Sequence, residues 1–330
     1  MRKILEKLYE GGVLTTDEAF QVMTDIGEGR GSNEVLASLL TVYRMRPITA
    51  GEFSGFRSAM YELSNQVRLE SEGSIDIVGT GGDGKNTFNI STLSCVVLAG
   101  AGYKVTKHGN YAASSISGSS NLLQKLGYQF TNDRDVLQRQ LDNYNLCFLH
   151  APLFHPAMKY VAPVRTSMGV KTIFNIMGPV INPSKPKAIM LGTYCTEVAD
   201  LYAEVMEMSD YQYAIVHSLD GYDEISLTDK FLHYTREYKT VRHPQDHDFA
   251  LVGQEELFSG ETIDEARDLF ISVLKNETPE PRTNVILINS GIAIHTLHPE
   301  KTIEEGIREA RESIESGRAY ENLMNLLNNQ

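Results

Sequence analysis

The sequence predicts an α/β fold: a largely parallel sheet flanked by helices, plus a small all-helical domain built from two chain segments. Three observations carry that expectation. From about residue 75, short β-rich runs alternate with helical stretches, as in a parallel sheet covered by helices. The first 70 residues carry helical spacing alone. Residues 155–180 then interrupt the alternation with a helix–turn–helix stretch that can pack back on the N-terminal helices. The expected division is 1–70 with 155–182 as the helical domain, and 71–154 with 183–330 as the α/β domain.

In chain order, apolar positions recur at helical spacing in Ile4, Leu5 and Leu8, in Phe20, Met23 and Ile26, and in Leu36, Leu39, Leu40 and Tyr43. Thr15 with Glu18 and Thr49 with Glu52 form capping-box signatures, and Gly27 and Gly29 supply a stop. The predicted strands are SIDIVG (74–79), YKVTK (103–107), LCFLHA (146–151), KAIMLGTY (187–194), YQYAIVHS (211–218) and EYKTV (237–241). STLSCVVLAGAG, TEVADLYAEVMEMS, TIDEARDLFISVLKN and TIEEGIREARESIESG read as helices, the last two opened by Thr262 with Glu265 and Thr302 with Glu305.

Composition narrows the function. Lys and Arg number 30 against 43 Asp and Glu, a formal charge of −13. Nucleic acid and anionic membranes are disfavoured, because phosphate contacts on that scale need clustered Lys and Arg. One small phosphorylated ligand at a local basic site remains compatible. No apolar run approaches the ~18 residues of a membrane span, and MRKILEKLYEGG lacks a signal-peptide core. Cys95, Cys147 and Cys195 have neither disulfide nor zinc spacing. They are expected to be reduced core residues of a cytoplasmic protein. His243 and His247, in RHPQDHD, read as a hydrophilic loop.

The motifs converge on an anion. Gly79-Thr-Gly-Gly-Asp-Gly84 formally fits the dinucleotide fingerprint. Asp83 and the absence of an acidic residue ~20 positions on argue against that site. Glycines that let backbone N–H groups approach a phosphate fit better, followed by the helix start Asn89-Ile-Ser91-Thr92. Lys107-His-Gly-Asn110 places a cation after the second strand. Ser114-Ser-Ile-Ser-Gly-Ser-Ser120 offers hydroxyl and N–H donors, or simply helix caps. Asp223 and Glu224 follow a strand and offer the hard oxygens that Mg²⁺ takes beside substrate phosphates; alone they also read as a solvated turn. Arg165 is suited to bidentate carboxylate recognition, with a surface salt bridge as the alternative.

Together these stretches resemble the anthranilate phosphoribosyltransferase family, of the nucleoside phosphorylase type-III fold. The carriers are DIVGTGGDGKNTFNIST (76–92), KHGN (107–110), SSISGS (114–119), HPAMKYVAPVR (155–165), TIFNIMGPVINP (172–183) and DEIS (223–226), in order along the whole chain. The resemblance implies transfer of a phosphoribosyl group from phosphoribosyl pyrophosphate (PRPP) to the amine of anthranilate, in tryptophan synthesis. It implies PRPP binding by Gly79, Gly82, Asp83, Thr87, Asn89, Ile90, Ser91, Thr92, Lys107, His108, Gly109, Asn110, Ser114, Ser115 and Ser119. It further implies anthranilate binding by Gly79, His108, Asn110, Pro152 and Arg165. About two Mg²⁺ ions would be held by Ser91, Asp223 and Glu224, in a homodimer joined through the helical domain. The chain departs from the family pattern at Tyr111, where a basic residue is usual, and at His150, where an apolar or aromatic residue is common. The competing readings are a same-fold pyrimidine nucleoside phosphorylase, whose phosphate loop is longer, and a non-catalytic nucleic-acid-binding relative, which would need basic stripes.

Overall fold

A computed structural model describes residues 1–111 and 118–330. The chain opens with four helices, α1 (Arg2–Tyr9), α2 (Thr16–Gly27), α3 (Asn33–Met45) and α4 (Ala50–Glu62). An α/β run follows: β1 (Ile75–Gly79), α5 (Ile90–Gly100), β2 (Val105–Gly109), α6 (Ser119–Lys125), α7 (Arg134–Tyr144) and β3 (Leu146–His150). The insertion holds α8 (Ala151–Phe154), α9 (Met158–Met168) and α10 (Ile173–Met177). The chain then re-enters the sheet with β4 (Ala188–Gly192), α11 (Thr196–Glu207), β5 (Gln212–Ser218), β6 (Phe231–Tyr234) and β7 (Lys239–Arg242). It closes with α12 (Ile263–Leu274), α13 (Glu280–Leu297), α14 (Ile303–Glu315) and α15 (Arg318–Asn328).

The seven strands lie in the order β3-β2-β1-β4-β5-β6-β7. The first five are parallel and the last two antiparallel. The chain runs outward from β1 to β3, then returns to the other side of β1 as β4. That reversal is a topological switch point, where the loops beyond neighbouring strand ends part into a crevice. Gly79 ends β1 level with Gly192 of β4, and Gly109 ends β2 level with His150 of β3.

Two apolar clusters sandwich the sheet. One packs α5, α13, α14 and α15 on one face. The other joins the N-terminal helices and the insertion to α11 and the opposite face of β4 and β5, through residues such as Phe53, Tyr202 and Leu191. The helical bundle therefore shares its core with the sheet.

The capping signatures at Thr15 and Thr49 form reciprocal boxes, as does that at Thr302. Thr262 caps α12, but the Glu265 carboxylate instead accepts from the Glu261 N–H. Several elements differ from the sequence expectation, and α7 and α15 were not among the expected helices. Helix α13 was not expected, because it is apolar on every side and so lacks a helical stripe; Val285, Ile286, Leu287 and Ile288 are all fully buried. β6 was not among the expected strands either. His247 does not sit in a hydrophilic loop: it is buried, with Nδ1 2.9 Å from Glu304 Oε1. Cys195 is only partly buried, at the start of α11, whereas Cys95 and Cys147 are core residues.

Glu52 locks the bundle. It is fully buried and accepts from Leu14 N–H (3.0 Å), Tyr43 O–H (2.9 Å), Thr49 N–H (3.1 Å) and the Arg46 guanidinium (2.5 Å). Burial alone would raise its pKa, but Arg46 and the two N–H groups outweigh burial and hold it at about 2. Replacing Glu52 with Ala strands a partly buried guanidinium, a buried phenol and two N–H donors. Such losses cost about 3–5 kcal/mol. Urea unfolding of Glu52→Ala is expected to show a loss of that size; under 1 kcal/mol would contradict the account.

Candidate functional site

A cavity of about 320 Å³ opens at the switch point, beyond the carboxyl ends of β1, β2 and β4. Gly79, Gly82, Asp83, Thr87, Asn89, Ser91, Thr92, Lys107, His108, Gly109, Asn110, Ser119, Arg165, Asp223 and Glu224 all line it. Ile90 does not: its side chain is fully buried in the sheet core, and its N–H is spent on the Phe88 carbonyl at 2.6 Å. Pro152 does not line it either, although its neighbour Ala151 does. Ser114 and Ser115 lie outside the described residues. A larger cavity, of about 720 Å³, lies at the opposite end of the sheet. Its one arginine, Arg236, is occupied by the carbonyls of Met206, Glu207 and Ser209 behind α11.

The Gly-rich turn owes its shape to one carboxylate. Asp223 Oδ2 accepts from the Gly81 N–H at 2.6 Å. A Cβ on Gly79 would run into the Asp223 carboxylate, and one on Gly192 into its carbonyl. Both strand ends must therefore be glycine for Asp223 to seat. The turn then closes on Asp83, whose Oδ1 accepts from Lys85 N–H at 2.9 Å. From the far side, Leu257 O accepts from Phe88 N–H (2.9 Å) and Gly260 O from the Asn86 amide (3.0 Å). Residues 257–260, just before α12, thus pin the turn from outside.

Glu224 is held by the Ser91 N–H at 2.9 Å, at the start of α5. A helix N-terminus favours such an anion. Even so, Asp83, Asp223 and Glu224 all have raised pKa values. Burial is the largest cause for each, and repulsion from a neighbouring carboxylate adds to it for Asp223 and Glu224. Lys107 opposes this: it is almost fully buried, donates to Ile77 O at 2.7 Å and lowers the pKa of both Glu224 and Asp76. Three crowded carboxylates, opposed by the ammonium groups of Lys107 and Lys85, form a site that favours a cation. Among the described residues no three His, Cys, Asp or Glu side chains make a complete metal cage. A donor set of this kind suits Mg²⁺ shared with phosphate oxygens, because Mg²⁺ keeps much of its shell for water and substrate.

Arg165 reaches the cavity from α9. Its guanidinium lies 5.8 Å from the Phe174 ring centroid and donates to Asn175 Oδ1 at 3.4 Å. Among the described residues it forms no ion pair, so the surface salt bridge considered from sequence is absent. Burial alone lowers its pKa. A half-buried cation with only a neutral amide and a ring beside it is a receptor for an anion.

Sequence reasoning missed His155. Its Nε2 stands 3.1 Å from His108 Nε2, and both rings are buried. One ring donates and the other accepts, and a hydrogen bond to the Gly178 backbone also favours the protonated form of His108. The pair ties the end of β2 to both ends of the insertion. The sequence signal was the His-Pro step of HPAMK, which shows no partner until the chain folds. The two departures noted at Tyr111 and His150 turn out to touch: their rings meet edge-on at 4.9 Å. His150 also stacks on Phe130 at 4.3 Å and meets Ser120 Oγ at 2.9 Å. They form one aromatic unit beside the cavity wall.

Comparisons with known proteins agree with this geometry. The model of the glycosyl transferase family α/β domain matches residues 71–320, and that of its helical bundle domain matches 2–64. The anthranilate phosphoribosyltransferase of Cytophaga hutchinsonii is 47% identical over 97% of this chain and 98% of its own. That of Bacteroides thetaiotaomicron is 46% identical over 98% of this chain and 97% of its own. Among solved structures, the Thermus thermophilus enzyme of the same name superposes with a TM-score of 0.93 at 33% identity, covering 98% of both chains. The Saccharomyces cerevisiae enzyme in complex with PRPP and Mg superposes at 0.90 with 27% identity, covering 98% of this chain and 96% of that one.

The histidine pair gives a pH dependence. Burial holds His108 well below its ordinary pKa and His155 at about 4. A histidine depressed in the folded state contributes stability above the unfolded pKa, ~6.5, that is lost as pH falls toward the folded value. From pH 7 to 5, His155 alone should cost on the order of 2 kcal/mol. His155→Gln is expected to flatten that part of a stability-versus-pH curve measured by urea unfolding. An unchanged slope would show that the histidines titrate freely.

Proposed function

This chain belongs to the anthranilate phosphoribosyltransferase family, and on that premise we propose how its strand-end cavity works. The reaction moves the 5-phosphoribosyl group of PRPP onto the amine of anthranilate, releases pyrophosphate and yields N-(5-phosphoribosyl)anthranilate for tryptophan biosynthesis. One observation carries the reading: a single cavity joins a Gly-rich turn, a crowded carboxylate pair and an arginine that has no acidic partner among the described residues.

PRPP lies along the Gly-rich turn and the start of α5, where N–H groups and hydroxyls face phosphate. Gly79, Gly82, Asp83, Thr87, Asn89, Ser91 and Thr92 supply that wall. Lys107, His108, Gly109, Asn110 and Ser119 supply the other, and Ser114 and Ser115, outside the described residues, are proposed to bind PRPP as well. The Thr92 hydroxyl is buried without a partner among the described residues, as suits a group that awaits a ligand. Asp223, Glu224 and Ser91 would hold Mg²⁺, about two ions with the phosphates. When bound, the metal offsets the charge that pyrophosphate gains on leaving.

Arg165 takes the anthranilate carboxylate, with Asn110, His108 and Gly79 along the path. Breaking the C1–O bond builds positive charge on the ribose. The arylamine is neutral near pH 7, so it needs aim more than deprotonation. Arg165 supplies aim by fixing the carboxylate, a proximity effect. The helical segments 1–70 and 155–182 form the small domain, which carries Arg165. The PRPP wall belongs to the large domain of 71–154 and 183–330. Closure between them excludes the water that would hydrolyse PRPP.

The protein acts as a cytoplasmic homodimer joined through the helical domain. Tyr9, Val13 and Met45 are exposed large apolar residues on that bundle and support this surface. No helix among the described residues is long and apolar enough to cross a membrane.

The direct assay mixes protein, PRPP, Mg²⁺ and anthranilate and follows loss of anthranilate fluorescence. No loss at high enzyme concentration would sink the reading. Arg165→Ala should raise the apparent KM for anthranilate by about tenfold or more, since a charge-assisted contact is worth about 1.5–3 kcal/mol. The KM for PRPP should move far less, and equal effects on both would defeat the assignment. Asp223→Asn with Glu224→Gln should cut turnover at least a hundredfold at fixed Mg²⁺, a loss of about 2.7 kcal/mol in the barrier, with the circular dichroism spectrum unchanged. Full turnover would place the metal elsewhere.

A further inference from the structure

Resting on the reading above, we propose that Lys171 binds the pyrophosphate of PRPP from the insertion side, so that the insertion carries one cation for each substrate. Lys171 follows Gly169, which closes α9 in the left-handed region at φ 64°. It directly precedes Thr172, whose N–H donates to Asn175 Oδ1 at 2.9 Å. That same amide oxygen receives Arg165. The two cations therefore share an anchor.

The Lys171 side chain reaches the Gly-rich turn. A Cβ placed on Gly82 would sit 3.4 Å from Lys171 Cε and 3.7 Å from its Nζ. Gly82 lies in the left-handed region, φ 69°, and lines the cavity. The ammonium is held without being neutralised. Nζ stands 4.3 Å from the Tyr194 ring centroid and, among the described residues, makes no ion pair. In a chain with a formal charge of −13, an exposed lysine that meets a ring in place of a carboxylate keeps its charge available. Lys85 repeats the arrangement in the turn itself, 4.4 Å from the Tyr222 ring centroid. The two ammonium groups belong to opposite sides of the cleft. A polyanion on the turn meets both, and a neutral arylamine or a lone carboxylate needs neither. PRPP on the turn would in this way hold the insertion, and with it Arg165, over the large domain.

The test measures PRPP binding directly by calorimetry at fixed Mg²⁺ without anthranilate, alongside steady-state kinetics of the intact enzyme. Lys171→Met should weaken PRPP binding and raise its KM by about three- to tenfold, the size expected of one exposed charged contact to a multivalent anion. The anthranilate KM at saturating PRPP should stay within about twofold. Lys171→Arg should restore most of the affinity, and the salt dependence of PRPP binding should be shallower in Lys171→Met than in the parent. Lys239→Met is the control, since Lys239 also sits over a tyrosine, Tyr234, but on β7. Its PRPP affinity should equal the parent's. Equal PRPP affinity in Lys171→Met and the parent would overturn the inference while leaving the enzyme assignment intact. A parent protein that neither binds PRPP nor consumes anthranilate would overturn both.

Discussion

Three carboxylates set the terms for the functional end of this molecule. Asp83, Asp223 and Glu224 meet beyond β1 and β4, partly cut off from water, and burial and crowding raise the pKa of each. The opposing forces are visible and smaller: N–H groups of Gly81, Lys85 and Ser91 and the charges of Lys107 and Lys85. The balance favours a bound cation. Much else in the site follows from seating Asp223. Gly79 and Gly192 lack side chains because Asp223 occupies that space, and the turn after β1 bends around its carboxylate.

The same balance resolves the tension between an acidic chain and an anionic substrate. Net charge governs long-range encounter, whereas binding depends on the few groups within contact distance. Lys107 is committed to buried carboxylates and a carbonyl. Lys85 and Lys171 rest on tyrosine rings, and Arg165 rests beside a neutral amide. The histidines contribute no charge, because burial keeps His108 and His155 neutral near pH 7. Local cations thus remain open to substrate while the surface stays acidic.

The insertion is the mechanical link. It leaves the sheet after β3, packs α9 and α10 against the N-terminal helices and returns at β4. Its two ends are tied to the large domain by buried polar contacts. His155 and Gly178 hold His108, while the Asn182 amide donates to both Asp76 and the Thr106 carbonyl at 2.8 Å. Between those ties lie Arg165 and Lys171. Polar anchoring at both ends is specific in direction, so it fixes where the segment between them points.

The sequence by itself determined the fold class, most strands and helices, and the motifs that line the cavity. Those properties are local: a Gly-rich turn, a capping box or a helical stripe is written in neighbouring residues. Where the local signal was missing, sequence reading failed, as at α13, which is apolar on every side. Only the tertiary structure decided that Ile90 faces the core and not the cavity, and that His155 completes a pair with His108 across 47 residues of chain. It alone brought Tyr111 against His150 and Lys171 against Gly82. The reason is physical. A side chain's role depends on which partners remove it from water, and those partners come from elements that meet only when the sheet and bundle close around a common core.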